Sequence, residues 1–153
     1  LAAISFPFHF LISPIQVEDL YLDPFHNGQQ LSRIDCKRML EEFSEGTVPF
    51  QPCYLEPATA RQAVLRVMRN LKIAHLRKRE TFEAISCIDV MLAWNPGQPK
   101  EIRDRGLLYA QMKVWSLAIR DFEAYLEECP SARDRLRIEL ELANARRERL
   151  DVN

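Results

Sequence analysis

The stretch that decides the fold is I-R-D-R-G-L-L-Y-A-Q-M-K-V-W-S-L-A-I-R-D-F-E-A-Y-L-E-E-C-P, residues 102–130. A shift of 34 residues superimposes it on residues 68–96. Most of the residues that match are small, apolar or aromatic, with a proline at the end: Ala84 with Ala118, Ile85 with Ile119, Ile88 with Phe122, Leu92 with Leu126, His75 with Tyr109 and Pro96 with Pro130. Matched offsets of this kind indicate an internal repeat.

A period of 34 residues with these positions is typical of the tetratricopeptide repeat, a hairpin of two helices. In the second copy the small Gly106 and Ala118 allow the paired helices to approach closely, and Tyr109 and Phe122 fill the space beside them. The first copy is degenerate, since it has Lys72 at the glycine position and a histidine at the tyrosine position. That histidine, residue 75, is therefore interpreted as a packing residue.

The apolar pattern predicts five helices in this region, over Pro57–Arg79, Thr81–Trp94, Pro99–Met112, Trp115–Cys129 and Ser131–Leu150. The last one is predicted to open with a capping box of Ser131 and Asp134. Its apolar edge is predicted to consist of Leu136, Leu140 and Ala143, with arginines over the rest, which suits a terminal capping helix.

The first fifty residues differ from the repeat region. Aromatic and branched residues predict strands over Phe8–Ser13 and Leu20–Asp23, and a helix follows over Arg33–Leu40. The alternation suggests that one face is buried: Phe8, Phe10, Ile12, Leu20 and Leu22. Placing Ile12 opposite Leu20 also puts His9 opposite Asp23 on the other face, within hydrogen-bonding reach.

His9 and Asp23 are the candidate catalytic residues. A carboxylate on one imidazole nitrogen fixes the tautomer and frees the other nitrogen to activate a thiol. The alternative is a strand histidine that is satisfied by a neighbouring carboxylate and does no chemistry. The spacing of Cys36 and Cys53 directs neither toward His9. The chain begins with Leu1 and not Met, so we expect a fragment whose nucleophile lies upstream.

Composition excludes several classes of function. The net charge is −1 and hydrophobic residues make up 47%, so the chain is neither disordered nor a general nucleic-acid or membrane binder. No apolar run is long enough to span a membrane. No metal-ligand spacing and no glycine-rich phosphate loop occur, His26 has no spaced partner, and we predict no metal and no cofactor. The four cysteines indicate reduced thiols in a cytoplasmic protein.

A basic cluster lies between Pro57 and Arg79, with seven basic side chains and no acidic one. Arg66, Arg69 and Arg77 can share a helical face. One interpretation is a solvated face that pairs with the acidic first fifty residues, which carry seven acidic and three basic side chains. The other is a docking site for an acidic protein or peptide, with these three arginines as the peptide-binding residues.

The sequence as a whole predicts an α-rich α+β fold. A small antiparallel β segment is expected to pack on two tetratricopeptide-like helical hairpins and a capping helix. Prolines 49, 52 and 57 mark the division between residues 1–52 and residues 57–153.

The stretch E-I-R-D-R-G-L-L-Y-A-Q at 101–111, together with R-N-L-K at 69–72, resembles the bacterial SirB-type proteins. These combine a transglutaminase-like core with C-terminal tetratricopeptide repeats, and residues 6–12 and 21–28 resemble the end of that core. The resemblance implies a Cys-His-Asp triad in which His9 is the histidine and Asp23 the acid. Phe8 stands where the family has glycine.

Two functions are compatible with this sequence. The first is a cytoplasmic regulatory or protein-interaction module that binds a protein or peptide through its repeats. The second is the C-terminal part of a papain-like thiol enzyme, a peptidase or an acyl transferase. The chain as given is not expected to be catalytic, because the nucleophile is expected upstream.

Overall fold

A computed structural model of the chain describes residues 1–14 and 16–151. In this part of the chain, four short strands precede six helices, which confirms the α-rich α+β class. The strands are β1 (Ala2–Ile4), β2 (Leu11–Ser13), β3 (Tyr21–Asp23) and β4 (Gln29–Leu31). The helices are α1 (Arg33–Phe43), α2 (Ala60–Lys78), α3 (Thr81–Trp94), α4 (Pro99–Gln111), α5 (Trp115–Glu128) and α6 (Arg135–Asp151).

The chain divides into two compact units, the first from Leu1 to Arg66 and the second from Val67 onward. The four strands and α1 lie in the first unit, and α3 to α6 lie in the second. The predicted division in the proline-rich segment between residues 52 and 57 stays a prediction.

The sheet of the first unit is antiparallel, in the order β1-β2-β3-β4. Ile12 lies opposite Leu22 and not Leu20, so the predicted register is wrong by two residues. The buried face of the sheet is also opposite to the predicted one. Leu11, Tyr21 and Leu31 are buried, whereas Phe8, on the face predicted to be buried, is 60% exposed. Apolar residues occur at both odd-numbered and even-numbered positions between Phe8 and Ser13, so alternation alone could not decide which face is buried.

Ile4, Phe6, Leu11 and Leu40 are fully buried and form the centre of the first unit. The helix α1 starts at a capping box, because the Asp35 amide donates to Ser32 Oγ and the Ser32 amide donates to the Asp35 carboxylate. This satisfies amide groups that the first turn of a helix leaves without intrahelical partners. The helix then continues three residues beyond its predicted end at Leu40.

In the second unit, α3 packs on α4, α4 on α5 and α5 on α6. The predicted bounds of α3 agree with the structure, and those of α4 and α5 agree to within one residue. A cluster that includes Phe122 and Ile138 fills the space between α5 and α6. Trp94 ends α3 and Trp115 begins α5, so both tryptophans of the chain belong to this unit.

The close approach of α4 and α5 depends on Gly106. A Cβ atom at this position would lie 2.8 Å from two ring atoms of Phe122, which is itself fully buried. Carbon atoms pack at about 3.5–4.0 Å, so even one methyl group does not fit without movement. The predicted roles of Gly106 and Phe122 in helix packing are therefore confirmed.

The helix α6 corrects two predictions. It begins at Arg135, and the Asp134 carboxylate accepts hydrogen bonds from Arg103 and Tyr125 in place of the predicted capping box with Ser131. Its buried edge is Ile138, Leu142 and Ala145. The predicted edge of Leu136, Leu140 and Ala143 is exposed. The helix carries two apolar edges at helical spacing. The edge of Ile138, Leu142 and Ala145 is buried because α6 packs on α5.

Within the described residues, no helix combines the length and the apolar character that crossing a membrane requires.

Candidate functional site

His9 lies on a turn and not in a strand. Its amide donates to the Phe6 carbonyl at 3.2 Å, and the residue before it, Phe8, has a left-handed backbone with φ of 61°. Arg66 holds this turn, because its Nη2 atom donates to the carbonyl oxygens of Phe6 at 3.2 Å and of His9 at 3.1 Å. The imidazole ring contacts the rings of Phe25 and Phe43, with ring centroids 5.2 and 5.5 Å away.

Asp23 ends β3 and is only 1% exposed. One carboxylate oxygen, Oδ1, accepts the Phe25 amide at 2.9 Å. The other, Oδ2, lies 2.9 Å from His9 Nε2 and 2.7 Å from His26 Nδ1. The structure therefore brings His9 and Asp23 together, as the sequence predicted, and adds a second imidazole.

The surroundings keep Asp23 ionised. Burial alone would raise its pKa, but the close contacts with the His9 and His26 rings and the hydrogen bond from the Phe25 amide outweigh burial and lower the pKa to about 2. The carboxylate is thus negatively charged at any physiological pH. It can orient the His9 ring through Nε2, which leaves Nδ1 as the nitrogen that can accept a proton.

Sequence reasoning missed His26. The turn after β3 closes when the amides of His26 and Gly28 donate to the Asp23 carbonyl, at 3.3 and 2.8 Å. This turn carries the His26 ring back over the carboxylate. A signal was present, because Asp-Pro-x-His places a side-chain acceptor and an imidazole three residues apart in a turn.

The cysteines lie elsewhere. The group of described histidine, cysteine and acidic side chains whose ligand atoms lie within 4.8 Å of one another is His9, Asp23 and His26, and it contains no cysteine. Cys36 is buried in the core of the first unit, and burial raises the pKa of its thiol to about 11. Burial also raises the pKa of Cys87, whereas Cys53 is exposed. Cys36 is therefore an unreactive core residue, as expected from its position.

The three predicted peptide-binding arginines have different surroundings. Arg66 belongs to the first unit and donates to the carbonyls of Phe6 and His9, as described above. Arg69 and Arg77 belong to the second unit and are exposed. Arg69 lines the large cleft of that unit. The binding role of the three arginines stays a prediction.

This cleft has a volume of about 1120 Å³ and lies where the starts of α4 and α6 meet the end of α5. Its lining combines a tyrosine with charged side chains of both signs, among them Arg69, Glu101, Arg103, Tyr125, Arg133 and Asp134. Arg103 Nη1 donates to Asp134 at 2.8 Å, and its guanidinium lies 5.8 Å from the centre of the Tyr125 ring. These contacts fix one wall of the cleft.

Lys72, the residue at the degenerate glycine position, is buried. Its Nζ atom donates to Glu101 at 2.6 Å and to Asp104 at 3.2 Å, which links α2 to α4. Arg105 plays a similar part further along α4, since it donates to Asp121 of α5 and to Asp89 of α3. Salt bridges thus link helices both where the repeat has lost its glycine, at Lys72, and where it keeps it, beside Gly106.

Comparisons with known proteins agree with this architecture. The family model described as "Transglutaminase-like superfamily" matches residues 1–69, and the family model described as "Tetratricopeptide repeat" matches residues 71–143. The chain therefore combines a transglutaminase-like region with tetratricopeptide repeats.

The relatives narrow the identification. The UPF0162 protein of Xylella fastidiosa (strain 9a5c) is 34% identical over 135 residues, which are 86% of this chain and 48% of the relative. The UPF0162 protein of Vibrio cholerae is 33% identical over 133 residues, 86% of this chain and 49% of the relative. Protein SirB1 of Salmonella typhimurium is 29% identical over 136 residues, 85% of this chain and 49% of the relative.

The chain is thus a homologue of the SirB1 and UPF0162 proteins, and the resemblance to SirB-type proteins is confirmed. It spans about half the length of the curated relatives that it matches.

Proposed function

We propose that this chain is a regulatory or interaction module of the cytoplasm that binds a protein segment through its tetratricopeptide repeats. The observation that carries the proposal is the cleft of about 1120 Å³ in the second unit. Its volume suits a few side chains of a peptide, and clefts that receive ligands combine apolar walls with a few placed polar groups. The exposed Arg69 and Arg133 in its lining favour a segment with acidic side chains.

A photo-activatable amino acid in place of Arg133 tests this proposal in cells that express the full-length protein. Ser116 is the matched control, since it is exposed but lines none of the described cavities. We expect a discrete cross-linked product at position 133 that is absent at position 116. Arg69→Glu should abolish the product, whereas Lys37→Glu in the first unit should leave it. Equal cross-linking at the two positions would contradict a partner in the cleft.

A second function is favoured by a different observation, the contact of 2.9 Å between His9 Nε2 and Asp23 Oδ2. With Nε2 beside a buried carboxylate, the His9 ring has the neighbours of a base that activates a thiol. We propose as an alternative that this pair supplies two members of a Cys-His-Asp triad. The substrate would then be an amide or acyl group, which a thiolate attacks.

Alkylation kinetics of the full-length protein test the alternative. An ordinary thiol has a pKa of about 8.5 and reacts slowly near pH 6, whereas a thiol paired with an imidazole reacts fast. We expect one fast cysteine with iodoacetamide that becomes slow in His9→Ala. His75→Ala is the control, because His75 also contacts a carboxylate, Glu80, but lies in the second unit. Uniformly slow cysteines in the wild type would exclude a thiol enzyme.

A further inference from the structure

Three side chains of the first unit converge on one point. One ligand atom each from His9, Asp23 and His26 lies within 4.8 Å of the other two. We propose that these residues form a binding site for a single divalent transition-metal ion of the Zn²⁺ type, held by two imidazoles and one carboxylate. The inference does not rest on either proposed function, although an ion at this site would occupy the two residues that the alternative function uses.

The distances suit such an ion after small movements. Zn²⁺ binds imidazole nitrogen and carboxylate oxygen at about 2.0–2.2 Å, so two ligand atoms of a tetrahedral site lie about 3.3–3.5 Å apart. Asp23 Oδ2 is now 2.9 Å from His9 Nε2 and 2.7 Å from His26 Nδ1. Both contacts must widen by a few tenths of an ångström or slightly more, and the carboxylate would remain between the two rings.

Two of the three ligands are already held in place. Asp23 is fixed by the Phe25 amide on Oδ1 and is buried, which leaves Oδ2 for the ion. His9 contacts two aromatic rings and lies on the turn that Arg66 binds. The His26 side chain, which is 62% exposed, has the most room of the three to adjust. A site with fixed ligands costs little conformational entropy on binding.

The His9 nitrogen gives a second, independent reason. Nε2 is enclosed, and although it lies 2.9 Å from Asp23 Oδ2, the contact does not have the direction of a hydrogen bond. Among the described residues it therefore has no well-aligned partner. A buried polar atom without a well-aligned hydrogen bond is less stable than one with such a bond, and a metal ion at this point would bind the Nε2 lone pair.

The donor set selects the kind of ion. Two nitrogen donors and one oxygen donor suit Zn²⁺, Co²⁺ and Ni²⁺, whereas Mg²⁺ and Ca²⁺ prefer oxygen ligands throughout. Three protein ligands leave at least one coordination position for water. A cleft of about 490 Å³ lined by Asp23 and His26 gives solvent and ions access to this side of the site.

Metal binding would also change the chemistry of His9. An ion on Nε2 leaves the ring proton on Nδ1, so the imidazole can no longer accept a proton there. The metal-bound form would therefore lack a general base at this position.

Nuclear magnetic resonance of the three histidine rings tests the site directly. The metal-free, untagged chain is titrated with Zn²⁺, and the ring signals of His9, His26 and His75 are followed. We expect the first two to change together and to saturate at one equivalent of Zn²⁺. His75 is an internal control, because its Nδ1 lies 2.7 Å from Glu80 Oε2, the same distance as in the His26 pair, but it belongs to no described three-ligand cluster. Equal responses of all three rings, or no saturation, would overturn the proposal.

Two variants measure the contribution of the third ligand. His26→Ala keeps His9 and Asp23, and we expect Zn²⁺ binding, measured by competition with a chromophoric chelator, to weaken at least about tenfold. His75→Ala should bind like the wild type. Circular dichroism melts without metal establish that each variant is folded, and His26→Gln replaces His26→Ala if the latter is not. Unchanged affinity in a folded His26 variant would contradict the site.

Discussion

Phe8 has the left-handed backbone conformation that glycine adopts most easily, with φ of 61°. A bulky side chain in this region costs about 1–2 kcal/mol. The ring is 60% exposed, so it recovers little of this cost by burial. The turn exists because Arg66 binds its carbonyls and His9 contacts two aromatic rings, and the strain falls on the residue between Pro7 and His9.

The substitution Phe8→Gly is therefore expected to stabilise the first unit by about 1 kcal/mol, measured as the free energy of unfolding in denaturant. Phe8→Ala is the matched control, because it removes the same ring but keeps the Cβ atom that causes the strain. We expect no gain from Phe8→Ala. A gain of the same size in both variants would attribute the effect to the exposed ring.

Lys72 and Glu101 form a buried pair whose side chains are each 9% exposed. The substitution Lys72→Met leaves the Glu101 charge buried with no partner, which costs about 3–5 kcal/mol. We expect a loss of this size in the free energy of unfolding. The double variant Lys72→Met/Glu101→Gln should recover part of it, because no unpaired charge is left. A double variant less stable than Lys72→Met would mean that the pair is not the cause.

Sequence reasoning found part of the candidate site for an incorrect reason. It placed His9 opposite Asp23 in a strand register, but the two side chains meet because His9 comes off a turn. His26 was missed because its contact depends on how the turn after β3 closes, and not on a periodic pattern. Short-range turn geometry thus decides this site, and alternation of residues along a strand does not encode it.

At the level of elements, the helices of the repeat were predicted well and their buried faces less well. The 34-residue period and the prolines give the bounds of α3, α4 and α5, because turns and small residues recur at fixed positions. The buried edge of α6 was wrong because Leu136 and Leu140 on one side and Ile138 and Leu142 on the other both have helical spacing. Only contact with the neighbouring helix distinguishes them.

The contact of α4 with α5 can be tested at Gly106. Gly106→Ala places a methyl group against the Phe122 ring, and we expect a loss of about 1–3 kcal/mol in the free energy of unfolding. In a Phe122→Leu background the smaller side chain leaves room, so the same substitution should cost less. This double-mutant cycle isolates the overlap between the two residues. Equal costs in both backgrounds would show that the two residues do not interact.

The thiols report on each unit of the molecule. Cys36 lies in the first unit and Cys87 in the second, and both are buried, whereas Cys53 is exposed. At pH 8 we expect iodoacetamide to alkylate Cys53 first, with Cys36 and Cys87 reacting only after unfolding. Mass spectrometry of timed samples in increasing denaturant then follows the opening of each unit. Rapid alkylation of Cys36 in the native protein would contradict its burial.

The raised pKa of Cys36 also sets a direction for alkaline stability. The thiol has an ordinary value of 9.0 in the unfolded chain and about 11 in the folded one, mainly because of burial. Above pH 9 the unfolded state therefore loses this proton first and is favoured. We expect the stability that Cys36 contributes to be present below pH 9 and lost as the pH rises toward 11. If the free energy of unfolding of Cys36→Ala fell with pH as steeply as that of the wild type between pH 9 and 11, this linkage would be contradicted.

Trp94 and Trp115 both lie in helices of the second unit, which has an optical consequence. Intrinsic tryptophan fluorescence reports only on the tetratricopeptide helices, because the first unit contains no tryptophan. A fluorescence melt therefore does not report directly on the region around His9 and Asp23. Any spectroscopic study of that region needs its own chromophore, and exposed Phe25 beside His9 offers a position for an introduced tryptophan.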